Sequence, residues 1–161
     1  MAIVYLGLGS NLGNKRKHLI TALSLLAERG EDILSLSGFH ETIPFGFQSV
    51  NTFLNAAVRM ETALSPHELL ALTQQIEWEM GRTSKSKDCQ YADRVIDIDM
   101  LMYDDLILET PDLVLPHPLL HKRLFVLQPL VEIDSNLVHP VLGKTVTELY
   151  QEKKTVRHVR P

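Results

Sequence analysis

The 161-residue sequence predicts an α+β fold: a ferredoxin-like split βαβ sandwich, in which helices pack on an antiparallel sheet, with additions at the C-terminal end. Two observations carry that prediction. Strand and helix periodicities follow one another as β-α-β-β-α-β over residues 2–103. No internal repeat, low-complexity run or linker divides the chain, so one domain spanning 1–161 is the expectation.

Ala2 to Leu8 is an apolar run of strand character. It leads into Gly7-Leu8-Gly9-Ser10-Asn11-Leu12-Gly13-Asn14, where Leu12 stands at a position the dinucleotide fingerprint gives to Gly, and a strand-to-helix turn is preferred over a phosphate cradle. From Lys15 to Arg29, the residues Leu19, Ala22, Leu23, Leu26 and Ala27 recur at helical spacing, with Asn14 as N-cap and Gly30 as the stop. Ile33 to Thr42 reads as a strand. The loop from Ile43 to Asn51 after it is punctuated by Pro44 and Gly46, and it carries Phe45 and Phe47, unusual residues for a solvated loop. Phe53 to Thr62 is the next strand, with Leu54, Ala56, Val58 and Met60 on one face and Phe53 and Asn55 on the other. An aromatic ring beside a carboxamide suits a flat, hydrogen-bonding heterocycle; a Phe in a satellite core with an Asn closing a turn fits the spacing equally well.

Ser65-Pro66-His67-Glu68 is a helix start, with Ser at the N-cap, Pro at the first position and Glu three residues on. The helix runs to Met80 and stops at Gly81. Leu69, Leu72, Thr73, Ile76 and Met80 form its buried stripe, with Gln74 and Glu77 on the flank. Arg82 to Asp93 has no periodicity. It is read either as a mobile basic loop able to meet phosphates or as a plain solvated linker. Arg94 to Tyr103 is a strand, and alternation puts Asp97 and Asp99 on one face, with Ile96, Ile98 and Met100 on the other. Two adjacent carboxylates repel unless a hard cation shares their oxygens, and magnesium is commonly held by one or two carboxylates plus substrate phosphates. On that pair alone, a solvated strand face is the more ordinary reading.

Asp104-Asp105 turns the chain into a short strand from Leu106 to Glu109, which Thr110-Pro111-Asp112 ends. His117 sits between two prolines, a setting more often structural than functional. A short helix is expected over Leu119 to Arg123, an apolar core segment over Phe125 to Ile133, and a last helix over Val146 to Lys153.

Composition narrows the function classes. Hydrophobic residues make up 45% and charged residues 22%, an ordinary globular balance. A net charge of −4 argues against a general nucleic-acid binder, though not against a local basic pocket for a small polyanion. No apolar run is long enough to span a bilayer, the first strand is too short for a secretory signal, and the lone Cys89 fits a reducing compartment. A cytoplasmic protein with no membrane partner is therefore expected.

Taken together, Gly9-Ser10-Asn11-Leu12-Gly13, Thr42-x-Pro44-x-Gly46, Phe53-Leu54-Asn55-Ala56-Ala57, Glu77 with Gly81-Arg82, Arg94-x-x-Asp97-x-Asp99, and Pro116-His117 with Arg123-x-Phe125 resemble the 6-hydroxymethyl-7,8-dihydropterin pyrophosphokinases. These folate-pathway enzymes move a diphosphate from ATP to a pterin alcohol and release AMP. The resemblance covers nearly the whole chain. It implies ATP as co-substrate and two magnesium ions held by Asp97 and Asp99. Arg82, Arg94, His117 and Arg123 would lie on the phosphates, and Gln74 and Glu77 would join the ATP-binding set. By the same resemblance Phe53 and Phe125 would sandwich the pterin, and Asn55 with Thr42, Ile43 and Phe45 would read its edge. Arg82, Arg94, Asp97 and Asp99 would be the catalytic set of an enzyme acting as a monomer on small molecules. Three features depart from the family pattern. Gln90-Tyr91-Ala92-Asp93 replaces the usual basic-x-Gly-Pro ahead of Arg94, His40 stands where Tyr is common, and Lys85 or Lys87 replaces a second loop arginine.

Two other classes share parts of this pattern. A non-catalytic ferredoxin-like module for RNA or a metabolite is one, but an RNA-binding version needs aromatic and basic residues where Asn55-Ala56-Ala57-Val58 stands. Another magnesium-dependent phosphoryl transferase or nuclease using the same acids is the second.

Overall fold

The computed structural model describes residues 1–30, 32–42, 52–81 and 95–159, the last five by their backbone alone. Expectations placed on residues 43–51 and 82–94, including those for Ile43, Phe45, Arg82 and Arg94, lie outside the described residues.

Strand β1 (Ala2–Ser10) is the centre of the sheet. It pairs antiparallel with β4 (Phe53–Thr62) on one side and β5 (Asp97–Tyr103) on the other. Strands β2 (Asp32–Leu36) and β3 (His40–Thr42) both pair antiparallel with β4, giving the order β2-β4-β1-β5. This is the split βαβ arrangement expected from the element order.

Helices α1 (Lys15–Arg29) and α2 (Pro66–Glu79) cover one face of the sheet. Both start as expected: Asn14 Oδ1 accepts from Lys17 N at 3.1 Å, and Ser65 and Glu68 form a reciprocal capping box ahead of Pro66. Under them Val4, Leu6 and Leu8 of β1, Ala56, Val58 and Met60 of β4, and Ile98 and Met100 of β5 pack against Leu19, Leu26, Leu69 and Ile76. Each fully buried side chain of this size contributes about 1.5–3 kcal/mol. Arg29 bridges α1 to α2 through two bonds to Glu79, 2.8 and 2.9 Å long.

On the opposite face α3 (Leu124–Ile133) and α4 (Val146–Val159) form a second core, in which Tyr5, Ala57, Leu101 and Met102 meet Leu120, Leu127, Leu130, Val146 and Leu149. The β1–β5 register shifts between Tyr5 and Leu6: Tyr5 pairs with Met102 and Leu6 with Met100, so Leu101 is an extra residue that bulges. Tyr5 donates to Asp134, and burial, then this bond, raises the phenol to about 12.

Several boundaries differ from the sequence reading. The first strand continues through Gly9 to Ser10, because β4 and β5 pair with it from both sides. The single strand expected over Ile33–Thr42 is two, because Ser37 uses its side chain where the ladder would use backbone. Its Oγ accepts from Ala57 N and donates to Gly38 O, both at 2.8 Å, and Gly38 N turns to Glu132 Oε1 of α3. After the Asp104-Asp105 turn the expected strand shortens to β6 (Leu108–Glu109), paired with an unexpected β7 (Val114–Leu115). The short helix is a 3-10 turn at Leu120–Lys122, the apolar segment is the helix α3, and α4 runs past Lys153 to Val159. Among the described residues no helix is long and apolar enough to cross a membrane.

Candidate active site

Cross-strand pairing lays a row of residues over the face opposite α1 and α2. Asp97 of β5 pairs with Gly9 of β1, Gly9 with Asn55 of β4, and Asn55 with His40 of β3. Two residues along, Asp99 pairs with Gly7 and Gly7 with Ala57. Side chains at these positions share one side of the sheet, so carboxylates stand at one end of the row, a carboxamide at the other, and glycine between them. A Cβ at Gly9 would stand 2.9 Å from Asn55 Oδ1 and 3.6 Å from the Phe53 ring. Glycine at this position is therefore what lets Asn55 lean over the central strand.

The carboxylate end is braced from behind. Glu77 of α2 is 7% exposed, and its Oε2 accepts the Ile98 N–H at 2.7 Å. That amide lies between Asp97 and Asp99 on the outer edge of β5, where no further strand pairs with it among the described residues. A buried carboxylate thus closes the backbone that carries the acid pair. The resemblance assigned Glu77 to ATP; the structure puts its carboxylate on the strand's main chain and leaves Gln74 exposed on the helix.

His117 and Arg123 come to the same end from the segment around the 3-10 turn. His117 N donates to Leu101 O at 2.9 Å, and His117 Nδ1 accepts from Leu119 N at 3.1 Å. Burial lowers the imidazole's pKa, the Arg123 charge lowers it further, and Asp97 pulls the other way, so the three groups are in electrostatic reach of one another. The ring is consequently neutral near pH 7, and with Nδ1 accepting, its proton is on Nε2. The Arg123 guanidinium lies 5.4 Å from the Phe125 ring centroid, so two residues assigned to different ligands stack on each other.

At the other end Asn55, 9% exposed, donates Nδ2 to Thr42 Oγ1 at 2.7 Å, which orients Oδ1 toward Gly9. Phe53 pairs with Thr42 and lies beside the same floor. His40 Nε2 lies against the Glu132 carboxylate of α3. Gly7 and Gly9 were missed as site residues by sequence reasoning, which put Gly7 where the first strand meets the turn and read Gly9 as turn; the signal was their position two apart, in step with the acid pair. Among the described residues no group of three or more His, Cys, Asp or Glu could hold a metal.

The chain matches the family model described as 7,8-dihydro-6-hydroxymethylpterin-pyrophosphokinase (HPPK) over residues 5–135. The 2-amino-4-hydroxy-6-hydroxymethyldihydropteridine pyrophosphokinase of Porphyromonas gingivalis is 48% identical over 141 residues, 87% of this chain and 95% of that protein. The Aquifex aeolicus protein of the same name is 40% identical over 152 residues, 94% of this chain and 92% of that one. In a crystal structure of Plasmodium falciparum HPPK-DHPS with pteroate, a region covering 94% of this chain superposes with a TM-score of 0.77 at 18% identity, a likeness of fold. This chain spans 42% of that longer one. The chain belongs to the 7,8-dihydro-6-hydroxymethylpterin-pyrophosphokinase family, which uses ATP, and is a pyrophosphokinase of folate biosynthesis.

Proposed function

We propose, from the premise of a pyrophosphokinase, that ATP phosphates sit at the Asp97 and Asp99 end of the row and the pterin alcohol sits over Phe53 and Asn55. The observation that supports this most is the bare floor at Gly9. It joins a carboxylate end to a hydrogen-bonding aromatic end about 10 Å away, two strand spacings across the sheet. Heterocycle and polyphosphate fit side by side along such a row.

Transfer forms a bond between the pterin hydroxymethyl oxygen and the β-phosphorus, breaks the bond from that phosphorus to the oxygen bridging the α-phosphate, and frees AMP. Charge gathers on phosphate oxygens, so the residues have to position and neutralise. Asp97 and Asp99 fit magnesium as paired oxygen donors with positions left for phosphate and water. Two such ions, when bound, would neutralise the phosphates and acidify the attacking hydroxyl. Glu77 keeps the acid-bearing strand in place from behind. His117 offers Nε2–H to a phosphate oxygen as a neutral donor, and Arg123, Arg82 and Arg94 grip the transferring group, with Gln74 on the nucleotide. Phe53 and Phe125 flank the pterin ring, and Asn55 with Thr42, Ile43 and Phe45 reads its edge. The chain works as one domain, 1–161, a cytosolic monomer acting on small molecules, a reading supported by its single cysteine and its acidic net charge.

Incubating the protein with ATP and magnesium, with and without 6-hydroxymethyl-7,8-dihydropterin, tests this reading. AMP should form only when both pterin and magnesium are present. AMP release at the same rate without the pterin would mean another phosphoryl transferase.

A further inference from the structure

Behind the pterin end of the row, on the side of α1, one ammonium group joins three separate pieces of chain. Lys15, the first residue of α1, donates Nζ to Glu41 Oε2 of β3 at 3.0 Å, to Thr52 Oγ1 at 3.0 Å and to Thr52 O at 3.2 Å. Thr52 Oγ1 in turn donates to Glu41 Oε2 at 2.7 Å. The three ammonium hydrogens are matched by three acceptors, and the threonine hydroxyl accepts from one partner and donates to the other, so the ring is closed and fully used. The Glu41 carboxyl is held below its ordinary range by the Thr52 hydroxyl and then by Lys15.

The place of this ring matters more than its strength. Glu41 adjoins Thr42, and Thr52 adjoins Phe53, while Thr42 and Phe53 are paired and Thr42 holds Asn55. Strand β3 is three residues long and lies at the sheet edge, so few backbone bonds fix it to β4. Alternation puts Glu41 on the opposite side from Thr42, so the ring touches the back of the strands whose front carries the pterin-reading groups. A half-exposed Lys–Glu pair adds little to global stability.

We infer that Lys15 is a positioning residue for pterin recognition: through Glu41 and Thr52 it sets the distance between β3 and the start of β4, and so the placement of Thr42, Phe53 and Asn55. The inference rests on the proposed function, since it takes the front of β3 and β4 as the pterin end.

The test is steady-state kinetics on Lys15→Met, Glu41→Leu and the double variant, with Phe53→Ala alongside. Lys15→Met should raise the pterin KM about tenfold, equivalent to ~1.4 kcal/mol, leaving kcat and the ATP KM within about twofold. Glu41→Leu should match it, and the double variant should be no worse than either single, since all break one ring. Glu41→Gln keeps an acceptor for both partners and should recover most of the loss. Equal rises in both KM values with a lowered melting temperature would show a merely structural role and overturn the inference. So would an unchanged pterin KM in Lys15→Met when Phe53→Ala shows a raised one, and that result would leave the proposed function standing. An unchanged pterin KM in Phe53→Ala would remove the pterin end itself, and the inference with it.

Discussion

The two faces of this sheet are built from the same strands and do different work. The face under α1 and α2 is an unbroken apolar surface from Val4 to Met100. The other face carries a second apolar core as far as Tyr5, Ala57 and Leu101, and then changes character to Gly7, Gly9, Asp97, Asp99 and Asn55. Because alternation assigns each residue to one face, β1 can give leucines to the core and glycines to the site within six residues. Stability and chemistry are thereby separable, and substitutions on the two faces should be distinguishable by what they spare.

The largest effect belongs to the acids. Asp97→Asn or Asp99→Asn should lower kcat by ~10³-fold or more at saturating magnesium, since each removes a charge that the proposed magnesium site would need. The circular dichroism spectrum and melting temperature should stay close to wild type. Near-normal turnover in either variant would break the division between faces.

On the other side, Leu26→Ala empties a fully buried position and should cost about 2–5 kcal/mol in denaturant titration. Its folded fraction should keep wild-type KM values for both substrates. A selective loss of one substrate would show that the apolar face also shapes the site.

Gly9→Ala probes the floor joining the two ends. The new methyl would stand 2.9 Å from Asn55 Oδ1, so the carboxamide must shift, and the pterin KM should rise by about tenfold or more with folding little changed. Unaltered pterin kinetics would mean that Asn55 does not read the ring edge.

The smallest effect concerns the Arg29–Glu79 bridge across α1 and α2. Arg29, and then Gln75, lowers the Glu79 carboxyl from 4.5 to about 2. A depressed pKa means that the unfolded chain binds the proton first as pH falls, so this stabilisation is present above pH 4.5 and is lost on going down toward 2. Arg29→Met should therefore flatten the acid limb of a stability–pH curve in that window and leave activity at neutral pH unchanged.

Much of this division was legible in the sequence because period two is a strong constraint. It put Asp97 and Asp99 opposite Ile98 and Met100, and Phe53 and Asn55 opposite Leu54 and Ala56, and the structure agrees. The Asn14 and Ser65 caps were legible for a similar reason, since their partners are three residues away. Gly9 was not, because glycine ordinarily marks a turn and only pairing with both Asn55 and Asp97 makes it strand. The break at Ser37 depends on the amide of Ala57, and the burial of Glu77 on the amide of Ile98, 20 and 21 residues away. Lys15 carries no sequence signal beyond the helix start, since Glu41 and Thr52 lie 26 and 37 residues on.

The central claim is that chemistry and recognition occupy opposite ends of one row, and the most direct measurement compares Asp97→Asn with Phe53→Ala under pterin saturation. Loss of the ring's stacking face should weaken pterin binding by roughly 1–3 kcal/mol and ATP binding much less. Phe53→Ala should then recover a kcat close to wild type once enough pterin is supplied, whereas Asp97→Asn should stay inactive at every concentration of either substrate. A Phe53→Ala enzyme that remains slow at saturation, beside an Asp97→Asn enzyme restored by added substrate, would contradict the account.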